Sequence, residues 1–270
     1  MIECDTYFIG YDAREHEAAC VAAYSLQRRA NRRTRIYILE HQTLRRLGLF
    51  TRPWIVVGNG QFYDNIDERP FSTGFSHSRF LVFHLARELK VNGPCMFVDC
   101  DWLFLNDPGE VMAEQAKNPD KIGVVSRQRV VEENSIKMDG MIQQNYERKL
   151  WSAMFTFSPS DALSIMFSPD NVNHVAGRDL HTFLDLEEEK FWEINPAWHY
   201  IPSLDELGEP AKGIHYSEFS PWLNPDKGSD CANTFQLWHE EKQHWLEHAA
   251  RAGRLEVWRD LELDLSAARA

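Results

Sequence analysis

A chain of 270 residues with 43% hydrophobic composition can bury a substantial core, and its formal charge of −12 excludes a general nucleic-acid surface, which requires a basic patch. No apolar run approaches the length of a membrane span, and the start "MIECDTYFIGYD" has neither the basic region nor the long apolar stretch of a secretory signal. Five scattered cysteines, Cys4, Cys20, Cys95, Cys100 and Cys231, form no C-x-x-C pair, so reduced thiols in a cytoplasmic protein are expected. Peripheral membrane association and oligomeric state are left open.

In chain order, "TYFIG" reads as a short strand ending on glycine, followed by a helix in "YDAREHEAACVAAYSLQRRA". Ala18, Val21, Ala22 and Ser25 fall on one stripe of that helix, and Arg28 and Arg29 stand near its C-terminus, where the helix dipole favours cations. "RIYILE" is a second strand, and this spacing predicts a parallel βαβ unit. After a "WIVV" strand, the turn-rich stretch through "GNGQFYDNIDERP" predicts a long loop near the ligand side. Leu81, Leu85 and Leu89 predict a helix in "STGFSHSRFLVFHLARELK", with Ser72 or Thr73 as its cap.

"GPCMFVDCDWLFL" then reads as one buried strand. Beyond it are predicted a helix from Pro108 to Lys117 and strands in "IGVV", "WSAMFTFSP" and "GIHYSEF". A C-terminal helix should bury Phe235, Trp238, Trp245 and Ala249 and stop near Gly253. The expected architecture is a single α/β domain over residues 1–270, with an open, mainly parallel sheet flanked by helices and with C-terminal helical additions. Residues 1–107 would form a nucleotide- and metal-binding half, and residues 108–270 a donor-sugar and acceptor half.

"FVDCDWLFLNDP" sets two carboxylates, Asp99 and Asp101, inside an apolar run. In a strand they would share one face, with Cys100 on the other. Two like charges so close call for a proton, an arginine or a divalent cation. With 18 aspartates in the chain, about one D-x-D pair arises by chance, so only the apolar flanks distinguish this one. Magnesium and manganese suit carboxylate oxygens, and an imidazole such as His215 in "GIHYSEFSPW" would tilt the preference to manganese.

These residues carry a resemblance. "FVDCDWLF" resembles the D-x-D segment of the GT-A glycosyltransferases. The ordered series "FIGYDAREHEAACVAAYSL", "STGFSHSRFLVFHLA", "FVDCDWLFLNDP", "KMDG", "NYERKLWSAMFTF" and "GIHYSEFSPW" is similar to the family 8 retaining group, which includes glycogenin and bacterial lipopolysaccharide galactosyltransferases, and most of all to a bacterial branch of it.

The resemblance implies a donor nucleoside held by Ile9, Gly10, Tyr11 and Asp12, with the Tyr11 ring stacked on the base and Arg14 within reach of a phosphate. Arg79 would stand beside the donor phosphates and the acidic pair. Asp99, which also meets the ribose, Asp101 and His215 would be the metal ligands. Lys137, Asp139, Lys149 and Trp151 would contact donor sugar and acceptor, and His181 aligns loosely with a segment that touches the donor sugar. Candidate catalytic residues on this basis are Arg79, Asp139 and His181.

The chain departs from the family at "HYSEFSPW", which is one residue shorter, with Glu218 and Ser220 where a glycine and a phosphate-binding lysine are expected. Lys212 or Lys227 could substitute. The implied activity is metal-dependent, retaining transfer of a hexose from a nucleotide diphosphate sugar, a UDP-hexose, to a glycan or other hydroxyl acceptor, with Mn2+ or Mg2+ as cofactor. No carboxylate identifies itself as a nucleophile, so same-face attack is favoured, again by resemblance. Two other readings stay open: a sugar-nucleotide pyrophosphatase or nucleotidyltransferase, and a sugar-nucleotide or glycan-binding protein without turnover.

Overall fold

The computed structural model describes residues 4–58, 60–126, 142, 148, 150–202, 204–205, 210–217, 219–223 and 232–269. The chain opens with β1 (Cys4–Tyr11), α1 (His16–Arg29) and β2 (Arg33–Glu40), and β1 and β2 pair in parallel. The predicted stripe of Ala18, Val21, Ala22 and Ser25 is buried. Small side chains let α1 lie close to the strands it covers, and its terminal Arg28 and Arg29 pair with a buried glutamate, Glu241, at 2.7 and 3.0 Å.

After α2 (His41–Arg46), the stretch expected as a loop is instead a small antiparallel sheet of β3 (Trp54–Val57), β4 (Gln61–Asp64) and β5 (Arg69–Phe71). Its strands are three or four residues long, and β5 contains Pro70 at the edge, where the missing N–H costs no ladder bond. Such short runs between turn residues do not reveal themselves by alternation.

The next helix begins later than expected. A 3-10 turn at Ser78–Leu81 leads into α3 (Val82–Glu88), and neither Ser72 nor Thr73 caps it, because Thr73 bonds Ser76 in a tight turn ahead of it.

The long buried strand is also two strands, β6 (Cys95–Val98) and β7 (Trp102–Phe104), with Asp99, Cys100 and Asp101 in the turn between them. The remaining elements are α4 (Gly109–Lys117), β8 (Ile122–Val124), β9 (Met154–Phe157), α5 (Asp161–Met166), α6 (Pro169–His174), α7 (Gly177–His181), β10 (Phe191–Glu193), β11 (Gly213–His215), α8 (Ala232–Ala252) and α9 (Leu261–Arg269). The predicted face of α8 is buried, and Gly253, at φ +67°, ends it in the left-handed region that glycine tolerates.

The central sheet has the order β10-β8-β9-β6-β1-β2. It is parallel except at β9, which runs against both β6 and β8. Phe80, Phe83, Phe97, Phe155 and Phe167 stack between α3 and the sheet, each fully buried. Burying each ring contributes about 1.5–3 kcal/mol, which makes this layer the main anchor of the edge that carries the acidic turn. A separate antiparallel pair, β7 with β11, lies beyond the C-terminal end of β6. No helix among the described residues is long and apolar enough to cross a membrane.

Candidate active site

Ile9 sits opposite Val98 in the β1–β6 ladder, so Gly10 to Asp12 and Asp99 to Asp101 leave the sheet side by side. The Ile9 side chain is in the core, leaving only its backbone toward the edge. Gly10 is required by packing, since a Cβ there would stand 2.3 Å from the Phe75 ring.

Contrary to the expectation from sequence, Asp99 and Asp101 do not owe their proximity to alternation along one strand. The chain leaves one sheet at Val98, with the Asp99 N–H donating to Ala153 O at 2.9 Å, and enters the other at Trp102. The turn between folds both carboxylates toward the end of β11. There the β7–β11 register sets His215 opposite Trp102, and the Tyr216 N–H donates to Asp101 O at 2.9 Å.

The result is a cluster in which one ligand atom each from Asp99, Asp101 and His215 lies within 4.8 Å of the others. His215 Nε2 is 3.2 Å from Asp101 Oδ1. Arg79, buried at the start of the α3 region, reaches Asp99 Oδ1 at 2.8 Å and donates to Ser152 O at 2.7 Å. Its guanidinium also lies over the Phe75 and Phe97 rings, 5.1 and 5.3 Å from their centroids, which fixes it on the wall beside the acidic turn. Two carboxylates and an imidazole form a donor set that fits a divalent cation such as Mn2+.

Asp12 caps the turn before α1, accepting from the Arg14 amide at 3.0 Å, the Arg14 guanidinium at 2.7 Å and the Gly74 amide at 2.9 Å. Burial alone would raise its pKa, but the arginine and the two amides together hold it below the usual carboxylate range. Arg14 is thus committed to Asp12, to Ser72 O at 2.6 Å and to the Phe62 ring.

Tyr11 projects into a cleft of about 440 Å³ at the ends of β1 and β2, lined also by His16, Ile38, Glu40, Thr43 and Trp258. Its hydroxyl bonds His16 Nδ1 at 3.0 Å, and burial, reinforced by Glu40, raises its pKa.

The other expected site residues separate into four groups. His181 is buried behind Arg79, its Nδ1 2.6 Å from Ser152 Oγ. Trp151 is a buried ring packed edge-on to Phe191 with Arg148 over its face, as a core tryptophan would be. Lys137, Asp139, Lys149, Glu218, Lys227 and Cys231 lie outside the described residues. Lys212, expected as a substitute phosphate ligand, instead pairs with Glu110 at 2.5 Å. Sequence reasoning missed His199, which faces His215, because a lone histidine in "NPAWHY" carries no spacing signal.

No family model matches this chain. Protein CDI of Arabidopsis thaliana is 32% identical to it over 244 residues, covering 88% of this chain and 86% of the relative. The chain belongs to the Protein CDI family. For this Protein CDI relative, similar solved structures supply the fold.

An active-site mutant of LgtC matches with a TM-score of 0.52 at 12% identity, over 88% of this chain and 95% of that one. The galactosyltransferase LgtC in complex with donor and acceptor sugar analogues matches at 0.50, also at 12% identity and over the same shares. The WbbM bifunctional glycosyltransferase matches at 0.51 and 13% identity over 89% of this chain, which spans only 52% of WbbM. At such identities the likeness is one of fold, and the fold is GT-A.

Proposed function

We propose that this chain is a metal-dependent, retaining, family 8-like glycosyltransferase that moves a hexose from a UDP-hexose to a hydroxyl of a glycan or other acceptor. The observation that carries this reading is the convergence of Asp99, Asp101 and His215 at the C-terminal edge of a GT-A sheet, with Arg79 alongside. LgtC, of the same fold, has been captured with donor and acceptor sugar analogues. Asp99, Asp101 and His215 would hold Mn2+ or Mg2+, and the bound cation would supply Lewis-acid stabilisation of charge on the departing diphosphate.

The protein's own groups then divide the work. Arg79, pinned through Ser152 O, orients Asp99 and adds positive charge beside the leaving group. The cleft beside β1 and β2 receives the nucleoside, with Tyr11 as its aromatic wall and Glu40 as an acceptor for a base N–H. The acceptor hydroxyl attacks the anomeric carbon on the face the diphosphate leaves, and its proton passes to the leaving phosphate oxygen. His181, through Ser152, keeps the Arg79 anchor in place, and Lys137, Asp139 and Lys149 are the proposed sugar contacts. The free thiols at Cys4, Cys20, Cys95 and Cys100 suit a reducing, cytoplasmic setting.

One observation favours a second reading, a sugar-nucleotide-binding protein without turnover: Lys212 is engaged by Glu110 rather than aimed at the acidic turn. A single assay separates the readings. The protein is incubated with a panel of nucleotide sugars and Mn2+, with and without glycan acceptors, and nucleoside diphosphate release is followed in wild type and Asp101→Asn. UDP release lost on that change and on chelation is the expected result. Nucleoside monophosphate products would point to a pyrophosphatase, and tight binding with no turnover to the binding protein. UDP binding that calorimetry finds indifferent to metal would overturn the proposal.

A further inference from the structure

His215 is held from two sides. Its Nε2 faces Asp101 at 3.2 Å, and its Nδ1 lies 2.8 Å from Nε2 of His199. Both imidazoles rest on the Trp102 indole, His215 stacked at 4.7 Å and 20°, His199 tilted at 4.9 Å and 48°. His199 is completely buried.

The backbone fixes this pairing. Lys212 N–H donates to Ala197 O at 2.7 Å, Tyr200 N–H to Gly213 O at 3.0 Å, and His215 N–H to Tyr200 O at 2.8 Å, so the 3-10 turn Pro196–His199 is laced to β11. Gly213 permits the approach, because a Cβ there would stand 2.6 Å from Trp198 O and 2.7 Å from the Trp102 indole nitrogen.

A neutral imidazole has one N–H and one lone pair. For His215 to present a lone pair at Nε2, on the Asp101 side, its Nδ1 must carry the proton, and that proton is directed at His199 Nε2. His199 must then accept, which places its own proton on Nδ1. An apolar residue would fill the same volume without the desolvation cost of a buried ring nitrogen, so packing alone does not account for a histidine here.

We propose that His199 is a positioning residue. By accepting from His215 Nδ1–H it fixes the tautomer and ring orientation that offer His215 Nε2, beside Asp101, to a divalent cation of the manganese class. The inference rests on the metal-site reading above. A partner of this kind orients a metal-bound imidazole and raises its basicity, and its loss typically costs 10–100-fold in metal affinity.

Mn2+ binding to the full chain, followed by electron paramagnetic resonance without any nucleotide, tests it. His199→Leu should weaken Mn2+ binding about 10–100-fold, while His199→Gln, whose amide oxygen can accept the same N–H, should retain most of the affinity. Wild-type affinity in the Leu variant, or equal losses in both variants at unchanged thermal midpoints, overturns the proposal. Should the Leu variant fail to fold, the wild type still decides. Long-range 1H–15N spectra of histidine-labelled protein saturated with diamagnetic Mg2+, assigned with His215→Gln, are expected to show protonated Nδ1 in both rings, and a protonated His215 Nε2 in the cation-loaded protein overturns the inference. A wild type that binds no Mn2+ removes the metal reading and this inference together, whereas a wild type that binds while the Leu variant matches it removes this inference alone.

Discussion

Among the described residues, two places gather two aspartates and a histidine with ligand atoms within 4.8 Å of one another: Asp99, Asp101 and His215, and Asp64, Asp67 and His77. Composition does not tell them apart. The second cluster contains the guanidinium of Arg52, fully buried, whose Nη2 donates to Asp64 Oδ2 at 2.5 Å and Asp67 Oδ1 at 3.0 Å, while Nη1 donates to Val175 O at 2.6 Å. The cation is part of the chain, and the cluster ties the β3–β5 sheet to the α6–α7 segment, where the Gly177 N–H also donates to Asp67.

At the first cluster Arg79 engages Asp99, while Asp101 faces an imidazole that is itself oriented by a second imidazole. An arginine centred between two carboxylates makes a lock. An arginine set to one side leaves room for a ligand of the opposite charge.

The largest effect separating the two regions is expected from Arg52→Met. It leaves the buried Asp64 and the half-buried Asp67 without their counter-charge and should cost about 3–5 kcal/mol in urea unfolding, leaving Mn2+ affinity at the Asp99 cluster unchanged. Rescue of that variant's midpoint by added Mn2+ would show that only the guanidinium separates a lock from a metal site. A wild-type midpoint would break the comparison.

Arg79→Lys keeps the charge and loses the planar fork that spans Asp99 and Ser152 O, so kcat/KM for a nucleotide sugar should fall about 10–100-fold, worth about 1.4–2.7 kcal/mol, with little change in melting temperature. Equal losses in stability and rate would make Arg79 a lock as well.

His77 supplies a pH test. Burial, with Arg52 adding to it and Asp64 opposing, pushes its pKa down to about 3, so its 3.5 Å contact with Asp64 is made by a neutral ring. Below about pH 6.5 the unfolded chain takes up a proton that the native ring refuses. This group's contribution is therefore present above that pH and is lost as pH falls toward 3, with a limiting slope of about 1.4 kcal/mol per pH unit. His77→Gln should flatten the decline between pH 6.5 and 5, and His41 and His84, whose pKa values burial also lowers, contribute to the slope that remains.

The smallest effect belongs to Lys212→Ala. Its partly exposed pair with Glu110 should be worth less than about 1 kcal/mol, and turnover should not change. A large rise in KM would instead make Lys212 the missing phosphate ligand.

The parts legible in sequence are those where one periodicity acts alone. β1, α1 and β2 declare themselves because the apolar pattern switches cleanly from strand to helix and back. The identity of the Asp99–Asp101 pair was readable for a similar reason, since carboxylates inside an apolar run stand out. Its geometry was not, because apolar residues on both sides of Asp99 and Asp101 read as one strand, and nothing local says that Val98 and Trp102 belong to different sheets. Arg52 in "FTRPW" and His199 in "NPAWHY" were invisible for another reason: their partners, Asp64 and His215, are set by tertiary packing rather than by spacing. The β4 and β5 strands were hidden by turn residues at both ends of runs too short to alternate.

The pairing of β7 with β11 has one more consequence. During synthesis the carboxylates of the acidic turn emerge well before His215, which follows on β11. A nascent chain that has folded its first βαβ unit and its aromatic layer still lacks an imidazole for the turn. Assembly of the three-residue cluster is thus a late event on the ribosome, and a truncated product ending before β11 would carry the acidic turn and the Tyr11 strand without the imidazole that completes the cluster.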